Sequence, residues 1–286
     1  FVQSAKFVEN HSGNINDISI YGQDSNPTTW KLAQMNLAIR GIEPDLGKYA
    51  ADTFLDDQHP TMRADYIMAN PPFNLSNWGA EQLKDDVRWQ YGMPPAGNAN
   101  FAWLQHMIKS MKPMDGKVAV VLPQGVLFHS GKEGDIREQL IKSDLIEAVV
   151  ALAGGVFYGT GVSACILFLN NQKRPEHKGK VCLIDATNIY TPKRAQNVME
   201  EKDINEVFKL YQEYKDVIEK CKIVSIADLD AAGNTLAVNT YIEKKKQEVV
   251  APEIVRAQYF EALENVKKAE AKMKSLLIEG GYVDEQ

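Results

Sequence analysis

Four consecutive residues, Asn70-Pro71-Pro72-Phe73, carry the most concentrated chemistry in the sequence. Two prolines in a row stiffen the backbone and remove two N–H donors, leaving carbonyls that can only accept. The asparagine adds a side-chain carbonyl acceptor, and the phenylalanine adds an aromatic face. Together they suit a planar ligand that bears an NH2 group. An amino group conjugated with a ring, as in adenine, is a poor nucleophile because its lone pair is delocalised. If Asn70 holds one hydrogen and a proline carbonyl the other, the nitrogen can turn tetrahedral and aim its lone pair at an electrophilic methyl. Such catalysis is positioning plus electrostatic stabilisation, with no covalent intermediate and no metal. In a duplex the base must first be flipped out of the stack.

The tetrapeptide needs a platform. Residues 65–69 (DYIMA) read as a strand that runs into it, which puts it where open α/β sheets hold their ligands, at a strand's carboxyl end. Residues 17–21 (DISIY) predict a short strand. Pro27 then opens an amphipathic helix through Arg40 that ends at Gly41. Residues 74–98 mix Gly, Pro, Asn and Trp irregularly, the composition of a long functional loop. Residues 100–111 predict a helix stopped by Pro113, with His106 on its surface. The run KVAVVL (117–122) is almost continuously apolar, as expected of a central strand in a parallel sheet. A helix over 133–142 follows.

Residues 145–169 carry only one charge, Glu147, and are long enough for a membrane span. Gly154-Gly155 and Gly159-Thr160-Gly161 interrupt them, so they read as two buried strands, 144–152 and 163–169, joined by a glycine-rich turn. Residues 181–185 predict the last strand, and 201–214 a helix. This alternation argues an α/β fold, a doubly wound sheet with helices on both faces. From Pro252 the chain becomes one long charged helix. Its apolar positions Val255, Tyr259, Ala262, Val266, Ala269, Met273 and Leu276 are spaced 4-3-4-3-4-3, a heptad seam that reads either as a helix packed on its own domain or, with its small alanines, as one that takes a partner helix. The expected division is therefore a catalytic domain over 1–190, an irregular and helical extension over 191–250, and a partner-binding helical tail over 251–286.

Acidic residues number 38 against 32 basic ones, a net charge of −6, so the surface as a whole does not attract a polyanion. Nucleic acid must be held by a local patch or by a partner's positive field. The basic stretches 172–180 and Lys244-Lys245-Lys246 read as solvated faces before phosphate contacts. The five histidines lack metal-ligand spacing. Cys165, Cys182 and Cys221 make neither a disulfide framework nor a CxxC site, which fits a reducing cytoplasm. Residues 1–9 show no signal-like charged or apolar region, so no export signal is expected. They read instead as the body of a helix without a cap, so an upstream extension is expected.

Asn70-Pro71-Pro72-Phe73 resembles the catalytic tetrapeptide of amino-group methyltransferases that use S-adenosylmethionine. Those include enzymes that act on a protein glutamine amide or on ribosomal RNA. The wider context resembles the modification subunit of type I restriction-modification systems: Ile20-Tyr21-Gly22-Gln23-Asp24-Ser25-Asn26-Pro27-Thr28-Thr29-Trp30, then Met35-Asn36-Leu37-Ala38-Ile39-Arg40-Gly41. So do Asn100-Phe101-Ala102-Trp103, Lys117-Val118-Ala119-Val120-Val121-Leu122-Pro123 and Gly161-Val162. The similarity covers most of residues 1–240.

The resemblance implies a Rossmann-like sheet and methylation of adenine in double-stranded DNA, with Asn70, Pro71, Pro72 and Phe73 as catalytic residues. It further implies that Asp24, beside Ser25, accepts from the ribose hydroxyls of S-adenosylmethionine, although the family more often has Glu there. Asp52, beside Thr53, would receive the amino group of the cofactor adenine. The implied partners are DNA, a specificity subunit and a restriction subunit, met through the 255–276 seam, in the cytoplasm and away from membranes. The family's glycine-rich cofactor loop would lie before Phe1, so this chain would carry half of the cofactor pocket. Two alternatives stand beside this reading: an amino-group methyltransferase acting on protein glutamine or RNA, and a non-catalytic scaffold.

Overall fold

The computed structural model describes residues 1–157, 161–194, 196–243 and 252–282. Helix α1 (Val2–Asn10) leads through a 3-10 turn at Ile15–Asp17 to β1 (Ile20–Tyr21). The Asn14 side chain caps that turn, so Asp17 leaves the expected strand and β1 is shorter than predicted. Helix α2 (Pro27–Ala38) begins where the sequence requires, because the Asn26 side chain accepts from Thr28 and Thr29 N–H and Pro27 occupies the first turn. β1 pairs in parallel with β2 (Pro44–Asp45), over a small core of Ala5, Ile20, Leu37, Ile42 and Leu46.

The main sheet starts with β3 (Tyr66–Ala69), followed by α3 (Asn100–Ser110), β4 (Lys117–Pro123), α4 (Lys132–Lys142), β5 (Ile146–Leu152), β6 (Ala164–Asn170) and β7 (Lys180–Ala186). A two-residue ribbon, β8 (Thr191–Pro192) with β9 (Asn197–Val198), precedes α5 (Glu201–Glu213), β10 (Cys221–Ser225) and α6 (Ile226–Ala231). The strand order is β10-β7-β5-β6-β4-β3.

Two expectations are corrected. The sheet is mixed: β3 and β4 run parallel, as do β5 and β7, but β6 is antiparallel to both of its neighbours. A parallel crossover takes a dozen or more residues and usually a helix, so the connection after Leu152 brings the chain back antiparallel. Gly159 and Thr160 of that connection lie outside the described residues, as do Lys244, Lys245 and Lys246. Nor is β7 the last strand, since β10 pairs antiparallel with it.

Side-chain alternation puts two cores on the two faces. Val118, Val120, Leu122, Val149, Leu167 and Leu183 face α3, α4 and α6. Ala148, Val150, Cys182 and Ile184 face α5 through Leu210. Cys165, Cys182 and Cys221 are buried free thiols, and the sulfurs of Cys182 and Cys221 lie 3.6 Å apart. Chain contacts group Phe1–Glu243 as one unit and Lys244–Gln286 as another. In the latter, α7 (Pro252–Glu279) has no buried residue, and the seam residues Val255, Tyr259, Val266, Met273 and Leu276 are exposed. No helix among the described residues is long and apolar enough to cross a membrane.

Glu147, the charge inside the apolar stretch, is 4% exposed. Its carboxylate accepts from Asn170 Nδ2 at 2.9 Å and from the Tyr211 hydroxyl at 3.0 Å, and pairs with His177 Nδ1 at 3.0 Å. The His177 ring stacks on Tyr214 at 3.5 Å. Burial disfavours the charged carboxylate, yet the hydrogen bonds from His177, Asn170 and Tyr211 hold it below the usual range. Glu147→Ala is expected to cost about 3 kcal/mol, since it strands buried donors between β5, β6 and α5. Because the native pKa is depressed, the wild-type contribution is full above the ordinary carboxylate value and is lost as pH falls through the native one. Urea titrations at pH 7 and in the acid range, compared between wild type and variant, measure both effects.

Candidate active site

Asn70 follows the last residue of β3, with its side chain exposed and without a hydrogen-bond partner among the described residues. Pro71 is buried, Pro72 exposed and Phe73 half-buried, so the backbone is anchored at one proline while the polar end faces outward. The next residue, Asn74, has φ +53°, which asparagine tolerates better than most residues. Asn100, 3% exposed at the start of α3, holds it at both ends. Its Oδ1 accepts from Asn74 N at 3.0 Å and its Nδ2 donates to Asn74 Oδ1 at 2.9 Å.

Asp24 and Asp52 are brought together by the backbone: Ala51 N donates to the Asp24 carbonyl at 3.1 Å. Each carboxylate is oriented by its own turn. Asp24 Oδ1 accepts from Asn26 N at 2.7 Å, just before α2, and Ser25 beside it is exposed. Asp52 Oδ1 accepts from Phe54 N at 2.8 Å and Leu55 N at 3.1 Å. Among the described residues Oδ2 of each takes no hydrogen bond, so each acid keeps one oriented oxygen for a ligand donor. This pair of acceptors fits an adenosine group, which offers hydroxyls and an amino group to acceptors. No described hydrogen bond joins either aspartate to the tetrapeptide.

The link between the two halves lies in residues that the sequence reading did not single out. Gln23 donates to the carbonyls of Ala51 at 3.0 Å and Asp56 at 2.8 Å, and accepts from Gln58 N at 2.9 Å. It thereby holds both flanks of the Asp52 turn. Arg88, from the 74–98 loop, donates to the Thr53 carbonyl at 3.2 Å and the Phe54 carbonyl at 2.6 Å. Phe54 sits among Trp78, Trp103 and His106. Gly79 approaches the same turn, at φ +85°, where an added Cβ would lie 2.8 Å from Leu55 Cδ2. The only sequence cue for Gln23 was its place beside Asp24. For Arg88 it was the single arginine of an aromatic loop, two residues after Asp86.

His106 is not on the helix surface, as expected from its position, but against Phe54, with Nδ1 3.4 Å from Arg88 Nη1. An arginine can only donate, so Nδ1 is the acceptor there and the ring is neutral. Among the described residues no group of histidine, cysteine and acid side chains could hold a metal ion.

The family model for the N-6 DNA methylases matches residues 1–249. The chain belongs to the N-6 DNA methylase family. It is 45% identical over 256 residues to the type I restriction enzyme HindI methylase subunit of Haemophilus influenzae, covering 87% of this chain and 57% of that protein. It is 34% identical to the MjaIX methylase subunit of Methanocaldococcus jannaschii, covering 96% of this chain and 52% of that protein. The crystal structure of a type I restriction-modification methyltransferase subunit from Streptococcus thermophilus superposes with a TM-score of 0.73 at 27% identity, over 79% of this chain and 48% of that one. The chain thus spans about half the length of the curated methylases it matches.

In this methylase chain burial pushes His106 down to about 4, with the Asp57 carboxylate opposing and the Arg88 charge reinforcing it. The unfolded chain, with a histidine pKa of about 6.5, then binds that proton more tightly than the native state. The contribution to stability is full above that value and declines as pH falls toward the native one. His106 is therefore expected to titrate by NMR well below the ordinary histidine value of about 6.5, and His106→Gln to reduce the loss of stability as pH falls from there toward about 4.

Proposed function

We propose that the protein containing this chain transfers a methyl group from S-adenosylmethionine to the exocyclic amino nitrogen of an adenine in DNA, as the methylation subunit of a type I restriction-modification complex. The observation that carries the reading is Asn70, exposed and unengaged among the described residues, directly before two prolines at the end of β3. The family membership and the names of the relatives favour DNA over a glutamine amide or RNA.

When bound, S-adenosylmethionine supplies an electrophilic methyl group. The Asn70 side-chain carbonyl and the Pro71 carbonyl accept the two amino hydrogens of the flipped base, which frees its lone pair. Phe73 offers a ring face for the base to stack on. Asp24 accepts from the ribose hydroxyls, with Ser25 alongside, and Asp52 accepts from the cofactor's amino group, with Thr53 alongside. Each carboxylate is pre-oriented by its backbone turn, so ligand binding does not have to order it.

Asn70→Ala in the complete subunit is expected to lower single-turnover methylation of DNA by about 10²–10³. S-adenosylmethionine affinity, measured by calorimetry, should stay near wild type. Turnover close to wild type would remove Asn70 from the mechanism.

We further propose that the seam from Val255 to Leu276 docks a helix of the specificity subunit, with the restriction subunit joining the same complex. The exposed apolar row on α7 supports this, since a helix of that length leaves its stripe in water unless a neighbour covers it. The net charge of −6 adds to it, because DNA is then held with a partner's help. Deleting residues from Pro252 onward is expected to leave a folded domain that no longer co-purifies with the specificity subunit. Normal assembly of the truncated protein would mean that α7 is only a surface helix.

A further inference from the structure

Arg88 belongs to neither motif, yet every donor group of its guanidinium is committed. Nε donates to Asp86 Oδ1 at 2.8 Å and Nη2 to Asp86 Oδ2 at 2.7 Å. The remaining donors go to the Thr53 and Phe54 carbonyls and toward His106. The cation also lies 5.8 Å from the centre of the Phe54 ring and 5.2 Å from that of Trp89, and the residue is 6% exposed. A buried cation is costly unless its fork is filled, and here the fork is filled by two parts of the chain far apart in sequence. Asp86 lies in the loop that follows the tetrapeptide, whereas Thr53 and Phe54 follow directly on Asp52.

Packing joins the same two parts. Phe54 lies 5.3 Å from Trp78 and Trp78 lies 5.5 Å from Trp89, ring centre to ring centre, while Gly79 allows the loop to approach Leu55. The loop is tied at its far end as well. Gln105 of α3 accepts from Tyr91 N at 2.9 Å and donates to the Gly92 carbonyl at 2.8 Å, and Asn100 holds Asn74. A shift of the 52–54 turn would therefore either break the Arg88 bonds or carry Arg88 with it, and with Arg88 the loop that borders the tetrapeptide.

We infer that Arg88 is a positioning residue that couples S-adenosylmethionine binding at the 52–54 turn to the placement of the 74–98 loop beside the target-base site. The inference rests on the proposed role of Asp52. A lysine at position 88 keeps the charge but cannot bond Asp86 and both carbonyls as a planar fork does.

The test uses the complete subunit as wild type, Asp52→Ala and Arg88→Lys, with S-adenosylmethionine affinity read by calorimetry and amide exchange followed with and without the cofactor. Saturating cofactor is expected to slow exchange over residues 79–92 in the wild type. Arg88→Lys should weaken cofactor binding about tenfold, within the usual range of coupling between sites, and should lose that protection even at full saturation. Unchanged exchange over 79–92 in the wild type overturns the inference without recourse to any variant. Weaker binding in Asp52→Ala with unaltered binding in Arg88→Lys overturns it while leaving the Asp52 assignment standing. Unaltered binding in Asp52→Ala removes the turn from the cofactor site, and the coupling with it.

Discussion

The site depends on the abrupt end of β3. Its ladder with β4 stops at Ala69 opposite Val120, and the two prolines just beyond have no N–H with which to prolong it. The backbone therefore leaves the sheet as a stiff segment, with Asn70 outside the core and Pro71 anchored within it. The chain then turns through Asn74 and returns to the start of α3, whose Asn100 grips that turn. One helix thus serves several tasks in sequence. Asn100 holds the end of the tetrapeptide segment, Trp103 packs on Phe54, and Gln105 fastens the far end of the loop.

The acids are supported differently. Asp24 and Asp52 each point one oxygen at backbone N–H groups of their own turns, local geometry that short polar side chains adopt readily. Local turns alone would not align two acids on separate segments. The alignment comes from Gln23 and from the Ala51–Asp24 backbone bond on one side, and from Arg88 on the other. The Arg88 guanidinium beside Asp86 also holds that carboxyl below the usual range, so the clamp stays charged at neutral pH.

The features legible in the sequence were those set by local rules. Asn26-Pro27 marks the start of α2, and the split of residues 145–169 into β5 and β6 follows from the glycines between them. The tetrapeptide could be placed at a strand end because DYIMA is a short, mostly apolar run and the prolines after it cannot continue a ladder. Strand direction was not legible: the apolar run of β4 looks the same whether its neighbours are parallel or antiparallel. β10 was missed because CKIVS is short and lies at the sheet edge, with no long apolar run to announce it. His106 was misplaced because a helical face says nothing about a distant Phe54 that covers it. Gln23 and Arg88 escaped for the same reason, since their distant partners are mostly backbone groups, which leave no mark on composition.

The three cysteines have a further use that follows from where they sit. Cys165 lies on β6 inside the sheet, Cys182 on β7 and Cys221 on the edge strand β10, and none is more than 2% exposed. Burial also pushes the Cys165 thiol up, away from its reactive thiolate form. A thiol-modifying reagent therefore reaches each sulfur only after its own strand has opened. Labelling rates resolved by mass spectrometry become a strand-by-strand clock of sheet opening, with Cys221 timing the rim and Cys165 the interior.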